Sequence, residues 1–198
     1  MSSDTPPSLA PLVYVMGPSG AGKDSVLARA RGLLPIDAPI VFAHRYITRP
    51  ADIGGENHVA LSRIEFALRR SRGLFAFHWN AHGNEYGIGW EIQGWRAAGL
   101  TVVVSGSREH YDKVAGDDPG LQPVLITAPA GQIAARLKTR GRETAEDAAN
   151  RLARGQALSV SDPRLVTIVN DGVLDAAAET FVRLLATLRH SPGVRRRA

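Results

Sequence analysis

The stretch Leu12-Val13-Tyr14-Val15-Met16-Gly17-Pro18-Ser19-Gly20-Ala21-Gly22-Lys23-Asp24-Ser25 decides how this 198-residue chain folds. Its first five residues are a short apolar run that stops at a glycine-rich turn, which is how a buried parallel strand reads. From Asp24 to Gly32 the spacing becomes helical, with Val26, Leu27 and Ala30 on one side. Between strand and helix stand Gly17, Pro18, Ser19, Gly20, Ala21, Gly22 and Lys23, a complete GxxxxGK in the flanking context that gives the pattern meaning. In such a loop backbone N–H groups converge on an anion, and the helix N-terminus adds partial positive charge. Lys23 then reaches the outer phosphates of a nucleotide. The competing reading, a glycine-rich turn without a ligand, explains neither the full spacing nor the lysine.

After that lysine a phosphate loop normally carries Ser or Thr, whose hydroxyl binds magnesium. Here Asp24 stands in that place and Ser25 follows it. Two readings stay open. Asp24 is a first-turn carboxylate favoured by capping and the helix dipole, or it binds Mg²⁺ directly or through water, since oxygen ligands suit that ion in either arrangement. A negative group this near a triphosphate is tolerated chiefly when the metal lies between them.

Outward from the loop, apolar β-type runs recur at Ile40–Ala43, Thr101–Ser105, Pro123–Thr127 and Leu165–Val169. Helical stretches fall at Ser62–Ser71, Glu91–Ala98, Ala130–Thr139, Ala145–Ser159 and Leu174–Arg189. Strands alternating with helices predict an α/β fold of the P-loop NTPase kind, three layers with a parallel sheet covered on both faces. Residues 1–11 read as a loose leader, 12–189 as a single domain and 190–198 as a basic tail. Within the domain, 46–90 interrupts the alternation with Gly, Asn, His and aromatics and reads as an acceptor-binding insertion. The stretch 139–149, crowded with Arg and Glu, reads as a lid.

Composition narrows the function. No apolar run approaches the roughly 18 residues of a membrane span, and the start MSSDTPPSLAP has neither a basic head nor an apolar signal core. With no Cys there is no disulfide framework or thiolate metal site, which fits a cytoplasmic protein. The net charge of +5 comes almost wholly from Arg, since Lys occurs only at 23, 113 and 138. Arg grips phosphate in a bidentate fork, so anionic small molecules are the natural partners. Nucleic acid is not expected: the basic residues are scattered, the one dense run is Arg195 to Arg197, and no aromatic stacking platform exists. Oligomeric state is open, a homodimer included.

Further blocks resemble guanylate kinases in order and spacing. Arg45-Tyr46-Ile47-Thr48-Arg49, Glu56-Asn57-His58 and Leu61-Ser62-x-x-Glu65-Phe66 resemble that family's acceptor-binding region. His82-Gly83-Asn84-Glu85-Tyr86-Gly87 resembles its Gly-Asn-Tyr-Tyr-Gly. Arg136-Leu137-x-x-Arg140-Gly141-Arg142 with Arg151-Leu152 resembles its Arg-rich lid, and Asn170-Asp171 its Asn-Asp near the adenine of ATP. The resemblance spans about Leu12 to Leu188, and its departures are informative. On alignment, an acid that reads the guanine edge becomes Phe77, a hydroxyl becomes Ile88, and the acidic strand end becomes Ser105-Gly106-Ser107-Arg108. A site stripped of its base-reading polar groups loses discrimination by large factors.

The combination GPSGxGKDS, HRYITR, ENHxALS, YGxGxEI and GSRxH instead resembles the ribose 1,5-bisphosphate phosphokinases, in which Asp is the usual residue after the loop lysine. That resemblance implies transfer from ATP, with Mg²⁺, to a phosphorylated sugar, giving phosphoribosyl diphosphate (PRPP) in phosphonate breakdown. It implies Lys23 on the ATP phosphates and Arg136, Arg140 or Arg151 closing over the transferred group. Arg45, Arg49, His58, Tyr86 and Arg108 become candidates for the acceptor, against the alternative of structural surface pairs. His58, His78 and His82 are also read as acid–base candidates, against the alternative of satisfied or partly exposed histidines, and Trp79, Trp90 and Trp95 read as packing residues. A nucleoside monophosphate kinase with altered base choice and a non-catalytic interaction module are the competing readings.

Overall fold

The first strand, β1 (Leu12–Met16), is buried at all five positions, and so is β7 (Thr101–Ser105). A strand with one wet face alternates; unbroken burial requires cover on both faces, as in parallel α/β sheets. The computed structural model describes residues 9–51, 58–118, 120–139 and 160–188. After β1 come α1 (Lys23–Leu33), β2 (Ile40–Phe42), β3 (Arg45–Ile47), β4 (Val59–Ala60), α2 (Arg63–Ser71), β5 (Phe75–Ala81), β6 (Asn84–Gly89) and α3 (Glu91–Ala97). Beyond β7 follow a 3₁₀ turn (Arg108–His110), α4 (Tyr111–Asp117), β8 (Gln122–Thr127), α5 (Ala130–Thr139), β9 (Val166–Val169) and α6 (Leu174–Leu188). The main sheet has five strands in the order β2-β7-β1-β8-β9. β2 pairs with β7, β1 with β8 and β8 with β9, all in parallel register. This is the expected α/β class.

Two compact units are distinguished, the first containing Pro39–Val104 and the second Val13–Ala38 with the described part of Ser105–Thr187. In the second unit, α6 lays Ala177, Ala178, Phe181 and Leu185 into the core, an i, i+4 stripe typical of a helix with one apolar face. Its Asp175 takes both the Nε and an Nη of Arg29, at 2.7 and 2.9 Å, fastening α1 to α6. That guanidinium's hydrogen bonds hold the Asp175 carboxyl below the usual range.

In the first unit the expected insertion is a sheet of its own, ordered β4-β3-β6-β5. β5 and β6 form an antiparallel hairpin closed by the two-residue turn His82-Gly83. Along β5, Phe75, Phe77 and Trp79 are buried while the residues between them are not, so its period of two is present in the sequence. Ser62 caps α2 by accepting from the Glu65 N–H at 3.1 Å. Phe66 of α2 stacks on Phe75 with ring centroids 4.5 Å apart. Of the tryptophans expected to pack, Trp79 is buried, but Trp90 is 58% exposed. It sits where β6 turns into α3, and there its backbone N–H, donating to the Leu74 carbonyl at 2.9 Å, holds the corner while the ring points outward.

The leader through residue 8, the lid beyond Thr139 with Arg140 and Arg151, the helix expected over Ala145–Ser159, and the 190–198 tail lie outside the described residues.

Candidate active site

The phosphate loop leaves β1 at Gly17, where a Cβ would sit 2.2 Å from the Ile126 carbonyl oxygen of β8. No larger residue fits without moving that strand. The loop ends at Gly22, which caps α1 in the left-handed region at φ 83°. That conformation strains any side chain, and a Cβ there would also lie 2.4 Å from Asn170 Nδ2. The helix thus opens on Lys23 itself, one residue earlier than its spacing predicts, with Asp24 in the first turn. The Lys23 ammonium donates to Asp24 Oδ1 at 2.7 Å and to the hydroxyl of Ser105. The lysine side chain is only 11% exposed while that of Asp24 is 48% exposed.

Behind the loop stands a polar brace. Asn170, 4% exposed, donates from Nδ2 to the Ala21 carbonyl at 2.8 Å. Arg136 donates to the same carbonyl at 3.3 Å, to the Asn170 carbonyl at 3.1 Å and to Gln132 Oε1 at 3.2 Å. Gln132 in turn donates to the Asp171 carbonyl at 2.6 Å. Arg136, Asn170 and Asp171 are therefore assembled around the loop, but through its backbone. Of the loop residues, Gly20 and Ala21 are buried, whereas Ser19 and Ser25 are exposed.

Past the end of β7 the chain is pinned by Tyr14, fully buried in β1. Its hydroxyl accepts from the Ser107 N–H at 3.0 Å and donates to the Ser107 carbonyl at 2.9 Å. Arg108 follows, and burial pulls its guanidinium below the usual range, with Glu109 opposing. A charge held at such a desolvation penalty is one that an anion would stabilise. Nothing in the sequence singles out Tyr14 or Gln132, and Ser105 stands out only as a departure from an acidic strand end, because their roles come from contacts between distant segments.

Four of the acceptor candidates, Arg45, Arg49, His58 and Tyr86, belong to the first unit, whereas Arg108 belongs to the second. β3 and β6 run antiparallel with Arg45 opposite Ile88 and Ile47 opposite Tyr86. The Arg45 guanidinium lies 5.3 Å from the Tyr86 ring centroid, and Tyr86 stacks on Trp79 at 5.5 Å with 7° between planes. The three make a cation–aromatic–aromatic pile that fixes Arg45. His58, nearly buried, lies with Nε2 3.1 Å from the Arg49 carbonyl. His78 and His82 are exposed. Phe77 and Ile88 are cross-strand partners, both buried, so an apolar pair occupies those positions. Beside them burial, and next Glu91, raise the Tyr46 hydroxyl's pKa. Its hydroxyl donates to Glu91 Oε1 at 3.2 Å. Among the described residues no three His, Cys, Asp or Glu are grouped to hold a metal ion, and no helix is long and apolar enough to cross a membrane.

No protein-family model matches the chain. It is 53% identical over 174 residues to the ribose 1,5-bisphosphate phosphokinase PhnN of Desulfomicrobium baculatum, covering 88% of this chain and 93% of that one. The protein of the same name from Thiobacillus denitrificans is 47% identical over 175 residues, 88% of this chain and 92% of that one. Among solved structures, the guanylate kinase from Anaplasma phagocytophilum superposes with a TM-score of 0.69 over 94% of this chain and 89% of that one, at 18% identity. That likeness shows a shared fold, and the sequence relationship shows more: the chain belongs to the ribose 1,5-bisphosphate phosphokinase family.

Proposed function

We infer that this protein transfers the γ-phosphoryl group of ATP to the 1-phosphate of ribose 1,5-bisphosphate, yielding PRPP and ADP. An oxygen of the 1-phosphate attacks the γ-phosphorus, the bond from that phosphorus to the β,γ-bridging oxygen breaks, and ADP leaves. The observation that carries this reading is the complete loop Gly17 to Lys23, with its ammonium held by Asp24 and Ser105 at the start of α1, in a chain about half identical to named phosphokinases. A non-catalytic interaction module has no use for that arrangement.

Phosphoryl transfer depends on positioning and charge neutralisation more than on covalent help from the protein. The loop N–H groups and Lys23 hold the ATP phosphates in this reading. Asp24 offers one carboxylate, not a cage, and this fits Mg²⁺, which keeps several waters and takes its other oxygens from substrate phosphates. The ion would neutralise charge on the phosphates. Arg136, with Asn170 and Asp171, braces the loop from behind, while Arg140 and Arg151 are the candidates to close over the transferred group.

Arg45, Arg49, His58, Tyr86 and Arg108 are the proposed acceptor contacts. The acceptor's attacking oxygen is already ionised, so a general base is unnecessary and His58 serves to orient. The Phe77–Ile88 pair leaves no polar group there to read a guanine edge, which disfavours GMP. The reaction belongs, on this reading, to phosphonate breakdown in the cytoplasm. Incubation with ATP, Mg²⁺ and ribose 1,5-bisphosphate, followed by ³¹P NMR, should reveal a new diphosphate on C1; consumption of ATP without that signal would refute the acceptor assignment.

A further inference from the structure

Ser105 ends β7 with its side chain buried, 8% exposed, and its hydroxyl takes a hydrogen bond from the Lys23 ammonium across 82 positions of sequence. Its location is fixed by its neighbours. The next residue, Gly106, donates its N–H to the Val15 carbonyl at 2.8 Å, and Ser107 is held on both backbone polar groups by the Tyr14 hydroxyl. A side chain on Gly106 would collide with the Tyr14 ring at 2.0 Å, so the backbone beyond Ser105 has no room to shift. The hydroxyl is therefore a fixed point, and the flexible four-carbon stem of Lys23 is the part that adjusts to it.

The chemistry of this contact differs from that of the other ammonium partner. Asp24 is half exposed and charged, and it offsets the ammonium's charge. A hydroxyl accepts the hydrogen bond and leaves that charge intact. A carboxylate at position 105 would set two negative groups against one lysine, in a loop that must attract phosphate.

We propose that Ser105 is a positioning residue of the nucleotide site: its hydroxyl aims the Lys23 ammonium while keeping its charge available to phosphate, and it acts through Lys23 alone. The proposal rests on the assignment of the loop to nucleotide phosphates, and it is independent of which acceptor is used.

The test is a double-mutant cycle on ATP affinity, measured by calorimetry on the full chain, with Ser105→Ala, Ser105→Thr, Lys23→Met and the Ser105→Ala/Lys23→Met pair. Ser105→Ala should weaken ATP binding about tenfold and Ser105→Thr should restore it to within about threefold, as for a hydrogen bond to a charged group. In the Lys23→Met background the same Ser105→Ala change should cost less than about twofold. An equal loss in both backgrounds would assign Ser105 to the strand's structure and overturn the proposal, as would no loss in either. A wild-type chain that binds ATP yet makes no PRPP would sink the acceptor reading and leave this cycle interpretable. One that binds no ATP would sink both.

Discussion

Asn170 reaches across 149 positions of sequence to donate from its side-chain amide to the Ala21 carbonyl at 2.8 Å, tying the segment after β9 to the phosphate loop. The amide is buried, and Gly22 beside it has space for no side chain, so the contact fixes the loop at the point where α1 begins. Asn170→Ala should therefore cost about 0.5–1.5 kcal/mol of stability, the net worth of one hydrogen bond, since Arg136 still donates to the same carbonyl. ATP affinity should fall with it, by about tenfold. Thermal unfolding and calorimetric titration check both. A variant that loses affinity with no change in unfolding temperature would show that Asn170 touches the nucleotide and does not brace the loop.

Lys23→Ala should lower kcat by at least about 10²-fold, the scale of removing one preorganised charge from a phosphoryl-transfer site. Stability should change little, because its ion pair with Asp24 is partly solvated and such pairs are worth about 0–1 kcal/mol. Steady-state rates beside circular dichroism melts make the comparison. Full activity in the variant would remove the loop from the mechanism.

Asp24→Asn separates the two roles open to that residue. If the carboxylate helps hold Mg²⁺, the concentration of Mg²⁺ giving half-maximal rate should rise about tenfold or more. Gly22, not Asp24, caps α1, so the change removes only a first-turn charge that the helix dipole favours, and the first turn should survive it. An unaltered Mg²⁺ curve would leave Asp24 with only its favourable charge in the first turn and its pairing with Lys23.

A pH effect on stability is expected from Asp162. Hydrogen bonds from Arg164, then from the Tyr111 hydroxyl at 2.5 Å, hold its carboxyl well below the ordinary aspartate range. The matching shift pushes the Tyr111 hydroxyl up to about 12, chiefly through burial and then the bond to Asp162. For a depressed carboxyl the unfolded chain takes up its proton first as pH falls. The stabilisation is therefore present above the ordinary aspartate pKa and lost on acidification below it. Asp162→Asn should lower the unfolding temperature at about pH 6, and the gap to wild type should shrink by about pH 3. A gap of constant size would show that the carboxylate's charge contributes nothing.

The parallel sheet was legible because its strands are unbroken apolar runs and its first connection is a full phosphate loop; β7 at Thr101–Ser105 and α5 at Ala130–Thr139 match their expected bounds. The insertion was legible only as an interruption. Its hairpin is encoded by the alternation Phe75, Phe77, Trp79 and by the His82-Gly83 turn, but the flanking Gly, Asn and His mask that pattern in composition. Arg136 read as a group reaching toward phosphate, whereas its guanidinium is bonded to the Ala21 and Asn170 carbonyls. Spacing places Arg136 on a helix but cannot say which backbone carbonyls will surround it. Ser105 stood out only as a departure from an acidic strand end, and Tyr14 carried no motif, since their partners become neighbours only when β1 and the end of β7 are folded.

The central claim is the acceptor, and the most direct measurement is kcat/KM with ATP and Mg²⁺ for ribose 1,5-bisphosphate against GMP on the same preparation. The account predicts PRPP as product and a preference of at least about 10³-fold for the sugar bisphosphate, the scale on which sites built for different polar groups discriminate. GDP formed with comparable or higher kcat/KM would contradict it and make this chain a nucleotide kinase.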